Sequence, residues 1–286
     1  MITFFSVPKA FKGHIGVIQT NAIESWLKLN PCPEIILLGN DEGVAEVCQK
    51  YALRHIPDLK YHPEWRAPLL DGIIGSAKKK ANFNNLCFIH TDIILFQDFL
   101  EAFQLTSNRF EKYLMVSSRW NMNIDKRLDL SSEKERHSLR QSALAENDMY
   151  SSGGSDFFAF PKQLFKSIPP FLLGRGYWDN WMMYQALKEG AALVDTTSDV
   201  VALHQNHDYA HIDGVNIGER NTDRVFKAQQ GNYNLFLAGG QKNVYNNYDA
   251  DYVLRGGFFY STWGLSFLKR HIKSTVRRIK LRIKGK

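Results

Sequence analysis

The sequence is short of cysteine. It holds three, Cys32, Cys48 and Cys87, and no two form a Cys-x-x-Cys pair. A disulfide framework and a thiolate zinc site are therefore not expected, and a reducing, cytoplasmic setting fits best. Cys87 stands in an apolar run and reads as a small core residue. Long apolar runs are missing too. The longest candidate, around Leu86 to Leu95, is broken by His90, Thr91 and Asp92, well short of the ~18 residues a membrane-spanning helix needs. Met1 to Ser6 is apolar but brief and soon meets Pro8 and Lys9, so it lacks the pattern of a signal peptide. Internal repeats and low-complexity tracts are absent.

Acid is missing from one place in particular. Between Lys269 and Lys286 there are nine Lys or Arg and no Asp or Glu. The whole chain carries 36 basic and 29 acidic residues; without that segment, 27 basic residues face the same 29 acids. The net charge of +7 thus belongs to the tail. The tail has no interleaved aromatics, which argues against a nucleic-acid partner. Its apolar residues, Leu265, Leu268, Ile272, Val276, Ile279 and Ile283, recur every three or four positions, with Arg270, Lys273, Arg277, Lys280 and Lys284 on other faces. Residues 264–286 therefore read as a basic amphipathic helix. Such a helix suits the anionic inner face of a membrane, or packs on its own domain with a solvated charged side.

What is present is an ordinary globular composition, 44% hydrophobic over 286 residues, enough for a substantial core. Buried strands are expected at Ile2 to Ser6, Glu34 to Leu38 and Leu86 to Ile89. Helices are expected over residues 15–29 (stopped by Pro31 and Pro33), over 42–51, and from Pro68 to about Lys80. Alternation of this kind predicts an α/β fold with a mostly parallel sheet covered on both faces. Ligands bind such sheets at the carboxyl ends of the strands. Further strands are expected at Tyr113 to Ser118, Phe157 to Phe160, Ala192 to Asp195 and Val200 to His204, with a helix at Trp178 to Leu187. Residues 119–152 read as a long polar loop with a helix near 134–144, a length typical of a lid or binding loop.

Three features carry chemistry. Phe88-Ile89-His90-Thr91-Asp92 puts a carboxylate where a buried strand emerges; such an aspartate serves as a turn cap or holds Mg²⁺ or Mn²⁺. Gly174-Arg175-Gly176-Tyr177-Trp178-Asp179-Asn180-Trp181 opens a helix with an acid between two tryptophans. The helix dipole accounts for an acid there. Tryptophan faces also stack on sugar rings, and apolar neighbours raise a carboxylate towards general-base range. The third feature, His204 to His211, holds His204, His207, Asp208 and His211. It is either a polar loop or a metal site.

In this order and spacing the three features resemble the GT-A glycosyltransferases, family 2 in particular, over roughly residues 1–211. His90-Thr91-Asp92 is similar to their Asp-x-Asp motif, Trp178-Asp179 to the acid that supplies the base, and His204 to a strand-end histidine that completes the metal shell. Trp-Asp-Asn-Trp also looks like the Trp-Asp-Asp-Trp of inverting N-acetylglucosaminyltransferases. One departure stands out: His90 replaces the first Asp. The resemblance implies a GT-A-like catalytic domain over residues 1–263, with a donor half to about 118 and an acceptor half beyond. It implies a divalent cation, Mn²⁺ or Mg²⁺, on Asp92 and His204, and Asp179 as base in an inverting transfer from a nucleotide sugar to a hydroxyl of a glycan or lipid-linked acceptor. Ser6, Asp41, Asp71, His90, Thr91 and Asp92 would line the nucleotide-sugar side. Gly154, Asp156, Trp178 and Trp181 would contact sugar or acceptor. The competing expectations are a metal-dependent hydrolase built on His204, His207, Asp208 and His211, and a non-catalytic nucleotide-sugar-binding module.

Overall fold

The computed structural model describes residues 1–150, 155–207 and 220–262. A nine-stranded sheet organises them. In chain order its strands are β1 (Thr3–Ser6), β2 (Glu34–Leu38), β3 (Arg54–Ile56), β4 (Asn85–Ile89), β6 (Tyr113–Val116), β8 (Phe157–Pro161), β9 (Ala192–Asp195), β11 (Tyr252–Arg255) and β12 (Phe258–Ser261). Their spatial order is β12-β11-β9-β6-β8-β4-β1-β2-β3. Only β8 and β12 run against the rest. A three-stranded sheet, β5 (Ile93–Ile94), β10 (Ala202–Gln205) and β7 (Arg119–Met122), lies in the order β5-β10-β7. The helices are α1 (Gly13–Leu27), α2 (Val44–Lys50), α3 (Leu70–Lys80), α4 (Gln97–Arg109), α5 (Glu133–Glu146), α6 (Trp178–Lys188) and α7 (Arg220–Leu237).

Strand alternation sends successive side chains to opposite faces, which makes two core layers from one sheet. Phe4 packs edge-on to Trp26 and Phe99, in the layer roofed by α1, α2 and α4. Its neighbour Phe5 packs on Phe88 and Phe160, in the layer roofed by α3 and α6. Central strands buried on both faces read as continuous apolar runs, which is why β2 and β4 were legible to within a residue.

Elsewhere the structure corrects the expectation. Pro68 does not open α3; it sits two residues before it, bridging to Tyr61. Residues 119–152 are not one loop, because β7 occupies their first four positions, held parallel to β10. Among the described residues no helix is long and apolar enough to cross a membrane. The three cysteines are free. The basic segment expected to be helical lies outside the described residues.

Candidate active site

Because β4, β6 and β9 are parallel, their carboxyl ends open on one edge of the sheet, and β8 returns its amino end to the same edge. Ile89 pairs with Phe157, and the next N–H, on His90, donates to the Asp156 carbonyl at 3.0 Å. The chain then turns sharply: the Ile93 N–H reaches the His90 carbonyl, and Ile93 pairs with His204. That turn points Asp92 at the end of β10. The Asp92 carbonyl accepts from the Gln205 N–H at 3.1 Å, while the buried Gln205 amide donates to Ile18 and accepts from Asn21. Gln19 braces the other side. It accepts from the Lys9 N–H and from the Thr91 hydroxyl, and donates to the Lys9 carbonyl.

The result is a three-residue cluster. His207 Nε2 lies 3.1 Å from Asp92 Oδ2, and His204 Nε2 lies 3.7 Å from the same oxygen. One ligand atom from each of Asp92, His204 and His207 falls within 4.8 Å of the others. His204 is 4% exposed, and desolvation pushes its imidazole below the usual range with help from Arg119, against Asp92 and Asp156. The neutral imidazole that this desolvation favours is the form that ligates metals. Desolvation raises the Asp92 carboxyl, but the hydrogen bond from His207 and the charges of His204, His90 and His207 outweigh it and hold the group well below the ordinary range. Among the described residues Asp92 Oδ1 and His204 Nδ1 are buried without a hydrogen-bond partner, a costly arrangement that a ligand would relieve.

Asp179, in the first turn of α6, lies near Asp156 and His90. Desolvation raises its carboxyl, backbone N–H groups of Asn180 and Asp179 oppose that, and the neighbouring Asp156 raises it further while His90 lowers it. Tyr177, just before the helix, is held at φ 79°, a strained conformation for a non-glycine residue and the kind that gathers at functional sites. The loop beneath is tied down by Asn234 of α7, whose amide donates to the carbonyls of Leu172 and Gly176 at 3.0 Å.

Of the expected residues, His90, Thr91, Asp92, Asp156, Asp179 and His204 meet here. Asp156 is paired through both oxygens with one nitrogen of Arg119 at 3.1 Å, and Arg119 lies over the Tyr150 ring. Thr91 is buried and spent on Gln19. Asp41 and Asp71 sit apart, beyond β2 and at the start of α3; Asp71 is paired with Lys60 at 2.7 Å, and the Tyr61 phenol is raised by burial and, less, by Asp41.

Three expectations need correcting. Ser6 is buried, and its hydroxyl donates to the Ile89 carbonyl, so it ties β1 to β4 rather than facing a nucleoside. Trp178 and Trp181 are 4% and 6% exposed. Trp178 packs on Phe88 and Phe158, and Trp181 on Phe171, so neither ring offers a free face to a sugar; apolar burial has the stronger claim on an indole. Gly154, Asp208 and His211 lie outside the described residues.

Sequence reasoning named His207 as a metal ligand only for the competing hydrolase and did not join it to Asp92, which the structure does. It missed Arg119 and Lys9 altogether. Lys9 is lowered by desolvation, raised by Asp92 and lowered by Arg175, so its ammonium is near Asp92. No local pattern marks either one.

No protein-family model matches the chain, and no curated protein matches it. Solved structures do. The S. aureus TarS fragment 1-349 in complex with UDP-GlcNAc matches at 10% identity and a TM-score of 0.46, covering 83% of this chain and 70% of that one. The mannosyltransferase PcManGT from Pyrobaculum calidifontis, in complex with GDP-Man and Mn²⁺, matches at 11% and 0.45, covering 83% and 72%. M. tuberculosis glucosyl-3-phosphoglycerate synthase matches at 13% and 0.48, covering 84% and 81%. At such low identity and score, the functional reading is carried by this chain's own residues.

Proposed function

We propose that the chain is a GT-A type glycosyltransferase that moves a hexose from a nucleoside-diphosphate sugar to a hydroxyl of a glycan or lipid-linked acceptor, with inversion. The single observation that carries this reading is the convergence of Asp92, His204 and His207 at the carboxyl edge of a mostly parallel sheet, where Asp179, with a raised carboxyl, neighbours His90 and Asp156. An edge of that kind is where such sheets bind ligands.

The donor set fits a divalent ion. One carboxylate and two imidazoles suit Mn²⁺ and its neighbours, and the orphaned oxygen of Asp92 leaves a lone pair for it. Asp92, His204 and His207 would hold the cation, which supplies charge neutralisation for a diphosphate leaving group. Asp179 takes the proton of the acceptor hydroxyl; its raised carboxyl makes it a stronger base than an exposed aspartate. The Asp156–Arg119 pair fixes a carboxylate between Asp179 and His204, where it orients sugar hydroxyls. His90 brings no negative charge where an acid would. Lys9 and Arg175 add positive charge beside the diphosphate. Asp41 and Asp71 serve the nucleoside from the β2–β3 side. The donor half then spans about 1–118 and the acceptor half 119–263, and the basic 264–286 segment places the enzyme against the inner membrane face in the cytoplasm.

The test is a thermal-shift panel of nucleoside diphosphates and nucleotide sugars with Mn²⁺, Mg²⁺ or chelator, since ligands of the folded state raise Tm by mass action. A shift that needs both nucleotide and metal is expected. No nucleotide response, with a response to Zn²⁺ alone, would replace this reading with the hydrolase.

A further inference from the structure

The far end of the sheet presents a surface that the reaction does not use. β11 and β12 form a hairpin whose turn, Gly256-Gly257, has φ of 57° and 77°. Positive φ at both central residues is the geometry that suits a tight hairpin and that glycine adopts without strain. Both turn N–H groups donate to the Asp199 carboxylate, at 2.7 and 2.8 Å, so the tip is anchored. Register sets the faces. Leu254 pairs with Phe259, and these two look into the core, where Leu254 is buried and Phe259 packs on Phe110. Val253 pairs with Tyr260 and Arg255 with Phe258, and directly opposed residues share a face. On that outer face Phe258 is 70% exposed and Tyr260 55%.

Two exposed aromatics, a valine and an arginine on a rigid edge hairpin call for a partner. Charge decides which. After β12 the Thr262 N–H donates to Asp251, and the chain runs on into the segment with nine basic residues and no acid. A second copy paired edge to edge through β12 would bring two such segments together by symmetry and repel. An anionic bilayer would attract Arg255 and the basic segment alike, and aromatic rings with Arg suit its interface.

We propose that the outer face of the β11–β12 hairpin, Val253, Arg255, Phe258 and Tyr260, docks on an anionic membrane surface. The carboxyl end of β11, where Arg255 and the turn to Phe258 lie, is on the same edge of the sheet as the Asp92 cluster. Five strand spacings separate β4 from β12, or about 24 Å. A docked hairpin therefore holds the reaction edge within reach of an acceptor head group at the bilayer surface. This placement rests on the proposed transferase reading; the docking itself does not.

The experiment is co-sedimentation of the full chain with phosphatidylcholine vesicles, with and without phosphatidylglycerol. Binding only to the anionic vesicles is expected. The double variant Phe258→Ser/Tyr260→Ser should weaken it on the order of tenfold, whereas Phe236→Ser, at a still more exposed aromatic on α7, should not. Equal sedimentation of the double variant and the wild type would overturn the proposal, as would a concentration-dependent dimer that the double variant abolishes. Metal-dependent nucleotide binding is read in solution on the same variants. If it persists while sedimentation is lost or never seen, the docking result stands apart from the fate of the transferase reading.

Discussion

The two edges of the sheet make an instructive pair. At the amino edge a cleft of about 640 Å³ is lined by amides, Asn30, Asn84, Asn85, Gln97 and Gln104 among them, with Glu101 and Glu111 but no histidine or basic side chain. At the carboxyl edge Asp92, His204 and His207 cluster, with Asp156 and Asp179 nearby. Amides hydrogen-bond their surroundings and stop there; the Tyr113 hydroxyl, for instance, donates to Asn85 at 2.8 Å. Histidines and carboxylates that push one another away from their ordinary titration ranges can hold a cation or take a proton. A hollow does not by itself confer chemical capacity; here the ligating and titrating groups gather at the carboxyl edge.

The strongest way to break this contrast is Asp179→Asn. Transfer should fall by about 10²–10⁴-fold, the usual worth of a general base, with nucleotide binding intact by calorimetry; retained turnover would remove Asp179 from its role. His207→Ala comes next. Metal affinity should drop by more than about tenfold, the loss seen even for groups that only orient a ligand, as measured by Mn²⁺ titration.

The same Asp179 gives a pH prediction. Its folded-state carboxyl is raised by desolvation, so activity should fall on the acid side through a midpoint above the ordinary aspartate value. The stability effect has the opposite sense. A raised carboxyl favours the fold while protonated, and that contribution is lost as pH rises through the folded value. Asp179→Asn should therefore melt higher than the wild type at pH 7 and lose that advantage in acid, in parallel melts at the two pH values. The smallest effect on function belongs to the amino edge. Asn85→Ala should cost about 1–3 kcal/mol of stability by stranding the Tyr113 hydroxyl, yet leave kcat/KM within about twofold, since nothing there is placed to act in a transition state. A larger loss of turnover would blur the contrast between the edges.

How far the sequence anticipated this differs by element. β2 and β4 were readable because strands buried on both faces leave unbroken apolar runs. β7 was not, because Arg119-Trp120-Asn121-Met122 is partly exposed and polar, and its strand state depends on pairing with β10. Asp92, Asp179 and His204 were legible because each sits next to a strand end or helix start that periodicity locates. Arg119 and Lys9 were invisible, since their roles arise from side chains brought together across long sequence distances. Trp178 and Trp181 were misjudged for a related reason: a tryptophan beside an acid looks the same in sequence whether its ring faces a ligand or the core.

The central claim is that Asp92, His204 and His207 form one metal site that serves a nucleotide. Spin-echo modulation of bound Mn²⁺, recorded with a nucleoside diphosphate present, tests it most directly. The account predicts ¹⁴N couplings from two imidazoles, one lost in His204→Ala and the other in His207→Ala, and ³¹P coupling from the nucleotide. Mn²⁺ that shows no nitrogen coupling, or that keeps both couplings in either variant, would contradict it.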